Sequence, residues 1–170
     1  MATSSKRYVF LVDDEPIQNE MLKDYLTERF IYELVTFENG ENALEKMDLQ
    51  PEIIILDYHL NSHNPQAKNG VDILKEIKEH WPDTYVIMLS GQDRIDVAID
   101  TMRYGAYDYV VKGESAFSRV ENIMNNINDY MRVKALNVGY RNTITLLTIV
   151  IGLIILISVY HFYLKHLFFN

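Results

Sequence analysis

Five short runs rich in Val, Ile and aromatic residues recur along this 170-residue chain, each followed by a segment with helical spacing. No other feature limits the possible folds as much. The runs are Tyr8 to Val12, Tyr32 to Phe37, Ile53 to Leu56, Tyr85 to Leu89 and Tyr107 to Val111, and runs of that length and composition read as buried strands. The segments between them carry apolar stripes: Ile17, Met21, Leu22, Tyr25 and Leu26; Ala43, Leu44 and Met47; Val71, Ile73, Leu74 and Ile77; Ile95, Ala98, Ile99 and Met102. A fifth stripe, Phe117, Val120, Met124, Ile127, Tyr130 and Met131, follows the last strand. Each is expected to face the core of the domain. Five alternations of strand and helix predict an α/β fold, a doubly wound parallel sheet with helices on both faces; of the common orders of such sheets, 2-1-3-4-5 is the one expected.

Composition narrows the chemistry. The chain has no cysteine, which excludes disulfides, thiolate zinc sites and a cysteine nucleophile. All 24 acids lie at or before Asp129, with 12 of the 16 Lys and Arg, and the remainder of the chain has no acid. An acidic globule of this kind neutralises phosphates poorly, so no nucleic-acid partner is expected. The first residues, MATSSKR, contain no apolar stretch and give no sign of a secretory leader.

In open parallel α/β sheets, ligands bind outside the carboxyl ends of the strands. The residues immediately after each strand are therefore informative. After the first run come Asp13, Asp14 and Glu15; after the third, Asp57; after the fourth, Ser90 and Gly91; after the fifth, Lys112 and Gly113. Two carboxylates about 5 Å apart repel by roughly 3 kcal/mol at an effective dielectric of about 20. A bound divalent cation would offset that cost, and a set of hard oxygen donors suits Mg2+. Asp57, alone at the end of its strand, is placed as a nucleophile toward a phosphorus atom, with Lys112 and Ser90 available to the phosphoryl oxygens.

The stretches FLVDDEP, IIILDYHL, VIMLSG and GAYDYVVKGE resemble, in order and approximate spacing, the signature stretches of response-regulator receiver domains of two-component signalling. The resemblance covers about residues 6 to 134. It implies a flavodoxin-like (βα)5 fold in which Asp57 is the phosphoacceptor and Asp14 and Asp57 bind Mg2+, with Asp13 assisting through water and the backbone carbonyl of His59 as a further ligand. It also implies that Ser90 is the switch hydroxyl, Lys112 the phosphate-pairing amine and Tyr109 the aromatic ring that moves on activation. The sequence departs from the family pattern in two places. The polar connection Asp57 to Asn69 is longer than usual, and Lys112-Gly113 replaces the frequent Lys-Pro. His59 and Gln92 occupy the positions that tune phosphoryl lifetime in the family.

From Asn142 to Leu164 the chain has no Asp, Glu, Lys or Arg. As a helix rising 1.5 Å per residue, this segment spans roughly 35 Å, enough to cross a hydrocarbon core of about 30 Å. Arg132, Lys134 and Arg141 precede it and Lys165 follows, while Tyr140, Tyr160, Phe162 and Tyr163 sit where interfacial aromatics occur. The expected organisation is a receiver domain at 1–134, a juxtamembrane linker at 135–141, a transmembrane helix at 142–164 and a tail at 165–170. This places the chain on the cytoplasmic membrane through a single-pass anchor, with the acidic domain in the cytoplasm. The expected partners are a sensor histidine kinase or phosphotransfer protein, the lipid bilayer and a membrane-protein output partner. Homodimerisation through the fourth helix, fifth strand and fifth helix is also expected. The chain is expected to be no enzyme beyond its own phosphorylation and dephosphorylation. The alternatives are a docking scaffold that works without phosphorylation, and a metal-dependent phosphatase. The phosphatase is disfavoured by His59, which stands where such enzymes place a second Asp as general acid.

Overall fold

The computed structural model describes residues 6–60, 66–91 and 95–168, with the side chains of 138, 139, 141, 142 and 161–168 excepted. In chain order the elements are β1 (Tyr8–Val12), α1 (Pro16–Thr27), β2 (Glu33–Phe37), α2 (Gly40–Glu45), a 3-10 turn (Met47–Leu49), β3 (Ile53–Asp57), α3 (Gly70–His80), β4 (Tyr85–Ser90), α4 (Ile95–Arg103), β5 (Asp108–Val111) and α5 (Ala116–Phe168). All strand pairs are parallel, as the alternation predicts, and the order is the expected β2-β1-β3-β4-β5. The strands fall within a residue of their expected bounds. Tyr32 and Tyr107 lie just outside theirs, and β3 and β4 each extend by the polar residue that ends them.

Period-two alternation sorts the central strands into two apolar faces. Phe10, Val12, Ile54, Leu56, Val86 and Met88 form one core cluster with Ala43, Met47, Ile73, Leu74, Ile77 and Tyr109. The intervening Val9, Leu11, Ile53, Ile55 and Ile87 are equally buried, as are Leu22 and Leu26 of α1 and Val120 and Met124 of α5. On this second side α1 and α5 are tied together: Tyr25 donates to Glu121 at 2.6 Å, and its ring lies 5.6 Å from that of Phe117.

Two Asn-Gly pairs start helices. Asn39 and Asn69 cap α2 and α3, their side chains accepting the N–H groups of Asn42 at 2.8 Å and Asp72 at 3.0 Å. The glycine that follows each cap makes a close approach. A Cβ on Gly40 would lie 2.3 Å from Ile73 Cγ1, and one on Gly70 would lie 2.1 Å from the carbonyl oxygen of Asp57. Gly70 also donates its N–H to the carbonyl of Tyr58 at 3.0 Å, so the start of α3 rests directly on the end of β3.

The expectation that every helical stripe packs inward needs correction. On α1 the buried residues are Asn19, Leu22 and Leu26, while Ile17 and Met21 are 74% and 54% exposed. On α4 the buried residue is Thr101, its hydroxyl satisfied by the carbonyl of Ala98 at 2.9 Å, and Val97 and Ala98 pack on the core. Ile95, Ile99 and Met102 point outward instead. α4 thus turns small or locally satisfied side chains inward and its bulkier apolar residues outward, whereas α1 buries two leucines on the face of Asn19 and exposes Ile17 and Met21. Tyr130 of the last stripe is exposed as well.

α5 is a single helix that runs through the segment expected to be a linker. Within it Thr143–Tyr160 has a mean hydropathy of 2.6 and none of it is buried, so it is a candidate membrane span.

Candidate functional site

The ends of β1, β3, β4 and β5 bring the expected residues together. Asp57 closes β3 and is 3% exposed, Ser90 closes β4 at 0%, and Asp13, the first residue after β1, is 4% exposed. Parallel register fixes their depth. Asp57 pairs with Leu89 and Ser90 with Val111, and the N–H of Lys112 binds the carbonyl of Ser90 at 2.7 Å. Lys112 therefore leaves the sheet beside Ser90, and its side chain reaches across to the acids.

Lys112 Nζ donates to Asp13 Oδ2 at 2.7 Å and lies 3.2 Å from Asp57 Oδ1. The second contact is an ion pair without hydrogen-bond alignment, and among the described residues Asp57 Oδ1 is buried with no hydrogen-bond donor. Asp13, Asp14 and Asp57 each offer a carboxylate oxygen within 4.8 Å of the others. A buried carboxylate oxygen without a donor, next to two more carboxylates, is a set of hard ligands that fits Mg2+. Burial pushes the Asp57 carboxyl above its ordinary range and the charge of Asp13 adds to this. The Lys112 ammonium and the backbone N–H of His59 act in the opposite direction. Burial works against the Lys112 ammonium too, but its hydrogen bond to Asp13 and the charges of Asp57 and Asp13 outweigh it and hold the pKa above the usual lysine value.

Other expected residues sit differently. Glu15 is exposed and outside the carboxylate group; it gives its N–H to Asp13 Oδ1 at 3.0 Å and precedes α1. The imidazole of His59 is also outside that group and packs edge-on against Tyr58, with centroids 4.7 Å apart. Tyr109 is 8% exposed and belongs to the core cluster. The Lys112-Gly113 peptide is trans and still delivers the lysine to the acids. Gln92 lies outside the described residues, as do the side chains of Arg141, Phe162, Tyr163 and Lys165.

The sequence reading missed Asn19. It is 4% exposed on α1, and its Nδ2 donates to the carbonyls of Asp13 at 2.9 Å and Phe37 at 3.0 Å. A signal was present, because Asn19, Leu22 and Leu26 share one helical face, and a polar residue on a buried face needs a partner.

Comparison with known proteins agrees with this geometry. The chemotaxis protein CheY of Thermotoga maritima is 32% identical over 120 residues, 70% of this chain and 95% of that protein. A protein-glutamate methylesterase/protein-glutamine glutaminase of Bacillus subtilis is 34% identical over 114 residues, which are 65% of this chain and 30% of that protein. The chain thus spans less than a third of the length of that relative. Among solved structures, the receiver domain of NtrX from Brucella abortus superposes with a TM-score of 0.63 at 28% identity, covering 70% of this chain and 96% of that one. The family model described as the response regulator receiver domain matches residues 9–125, well over half of the chain. With the acids, hydroxyl and lysine gathered at the strand ends where such a domain carries its site, this chain belongs to the response regulator receiver family.

Proposed function

We propose that this protein is a membrane-anchored receiver whose phosphoacceptor is Asp57. Receiver domains are signalling switches that bind Mg2+ at an acidic pocket and interact with histidine kinases or phosphotransfer proteins. The observation that carries the reading is the Lys112 ammonium held between Asp13 and Asp57, with a buried Asp57 oxygen that accepts no hydrogen bond from the described residues. Asp13, Asp14 and Asp57 would hold Mg2+, with the His59 carbonyl as a further ligand. The ion would neutralise charge on the acids and on the incoming phosphoryl group. An Asp57 carboxylate oxygen attacks the phosphorus of a partner's phosphohistidine; the O–P bond forms, the N–P bond breaks and its electron pair stays on the imidazole. Lys112 pairs with the phosphoryl oxygens and the Ser90 hydroxyl donates to one of them. Ser90 and Tyr109 then act as switch residues, favouring an active conformer that already exists.

The receiver occupies 1–134, the linker 135–141, the membrane span 142–164 and the tail 165–170, with the receiver on the cytoplasmic side. Support for the anchor comes from the exposed apolar stretch Thr143–Tyr160. Output passes through protein contacts at the membrane. The exposed Ile95, Ile99 and Met102 of α4 favour a contact on the face of α4, β5 and α5, made by a second copy or a membrane protein.

The full chain in detergent, incubated with a small-molecule phosphodonor with and without Mg2+, tests the reading by intact mass. One phosphoryl group is expected, only with Mg2+ and not in Asp57→Asn. No gain with any donor would favour the phosphorylation-independent docking scaffold.

A further inference from the structure

Asp13 is held at all four of its polar groups. Its backbone N–H binds the carbonyl of Phe37 at 3.1 Å, its Oδ1 accepts from the N–H of Glu15 at 3.0 Å, its Oδ2 accepts from Lys112 at 2.7 Å, and its carbonyl accepts from Asn19 at 2.9 Å. Asn19 contributes to two of these restraints. The same amide that binds the Asp13 carbonyl also binds the Phe37 carbonyl, the acceptor of the Asp13 N–H. One buried side chain on α1 therefore joins the end of β1 to the end of β2 and fixes the peptide that carries Asp13.

Lys112 is shared between Asp13 and Asp57, so the orientation of Asp13 also sets where the ammonium sits relative to Asp57. Asn19 lines a narrow space next to both carboxylates, together with Gln18, Leu11 and Phe117. With the Asn19 amide gone, the buried Asp13 carbonyl and the part-buried Phe37 carbonyl each lose a donor. The Asp13 peptide is then held by one bond fewer, as is its Phe37 partner, and any tilt of it shifts both carboxylate oxygens and the lysine bonded to them.

We propose that Asn19 is a positioning residue of the phosphoryl-transfer site. It orients Asp13, and through Asp13 it sets both the affinity for Mg2+ and the placement of Lys112. This rests on the reading of Asp13, Asp14 and Asp57 as the Mg2+ site. Partners that orient a metal site from behind typically change metal affinity by roughly 10- to 100-fold when removed, and an effect at the lower end of that range is expected.

The test uses the full chain in nanodiscs and compares wild type, Asn19→Leu, Asn19→Ser and Leu26→Ala. Leu26 is 0% exposed on the same helix and makes none of the contacts described at the site, so it reports loss of stability alone. Two quantities are read: the Mg2+ dissociation constant by calorimetry, and the Mg2+ concentration for half-maximal phosphorylation, set beside the maximal rate and the melting temperature. Asn19→Leu is expected to weaken Mg2+ binding by roughly 10-fold, with Asn19→Ser in between and Leu26→Ala binding as wild type despite a lower melting temperature. If Asn19→Leu does not fold, Asn19→Ser against Leu26→Ala decides. Unchanged Mg2+ affinity in the folded Asn19 variants, or the same loss in Leu26→Ala, overturns the proposal. Wild type that binds no Mg2+, or binds it equally well as Asp14→Asn, would overturn the site reading itself, an outcome distinguishable from the first.

Discussion

A carboxyl group that is 3% exposed, beside another acid and sharing one ammonium with it, is costly to keep ionised. Replacing Asp57 with Asn removes that charge and leaves Lys112 paired with Asp13. Asp57→Asn is therefore expected to stabilise the Mg2+-free protein by about 1 kcal/mol, read as a rise in the urea midpoint, while abolishing phosphoryl uptake. A midpoint that falls would show that Lys112 depends on both acids. Gly70 is the opposite case, a residue with no chemistry whose absent side chain matters. A Cβ there would meet the Asp57 carbonyl at 2.1 Å and Tyr58 Cα at 2.9 Å, both backbone atoms that do not yield as a flexible side chain would. Gly70→Ala is expected to cost roughly 2 kcal/mol or more and to slow phosphorylation, checked by denaturation and intact mass. Asp13, Asp57, Ser90 and Lys112 were legible in the sequence because each stands where an apolar run stops, and the sheet brings the ends of its runs together. Gly70 was not, because Asp57 becomes its neighbour only once the chain has folded, and for Asn19 the helical face hinted at burial but not at its partners Asp13 and Phe37.

At the level of elements, the strands were legible almost to the residue and the helix faces were not. Central strands of a parallel sheet are buried on both sides, so any run of Val, Ile and Leu identifies them. A helix buries one face, and a stripe of apolar residues wider than that face does not say which of them go inside. α3 follows its stripe, with Ile73, Leu74 and Ile77 buried, whereas α4 buries Thr101 and leaves Ile95, Ile99 and Met102 outside. Ile77→Ala is accordingly expected to cost about 2 to 5 kcal/mol, and Ile99→Lys to stay within about 0.5 kcal/mol, by chemical denaturation. α3 also carries a lysine that titrates unusually. Burial pushes the Lys78 ammonium below its ordinary 10.5, with the charge of Asp83 opposing, while Nζ donates to the Thr84 carbonyl at 2.5 Å. Between the lowered folded value and 10.5 the unfolded chain binds the extra proton, so this group makes stability rise with pH in that window. Lys78→Met is expected to flatten that part of the alkaline profile relative to wild type.

For the molecule as a whole, charge and apolarity divide along the chain. Every acid lies at or before Asp129, and the stretch Thr143–Tyr160 leaves Ile, Leu and Val side chains about half exposed or more. Such a surface needs a cover, and the length of the stretch matches a bilayer. The full chain is expected to stay with membranes after alkaline carbonate extraction, and a chain ending at Lys134 to be recovered in the soluble fraction. A soluble full chain would point to a protein partner over the apolar helix. The contact of Gly70 with the end of β3 also sets how much the molecule can change without loss. The connection from Tyr58 to Gly70 leaves and returns at one hydrogen bond of 3.0 Å, so its base is closed. Lengthening a closed loop adds only about 0.6 kcal/mol per doubling. Between those two anchored ends the chain is thus a cassette that evolution, or an engineer threading a reporter peptide, can rewrite while Tyr58 and Gly70 keep their bond.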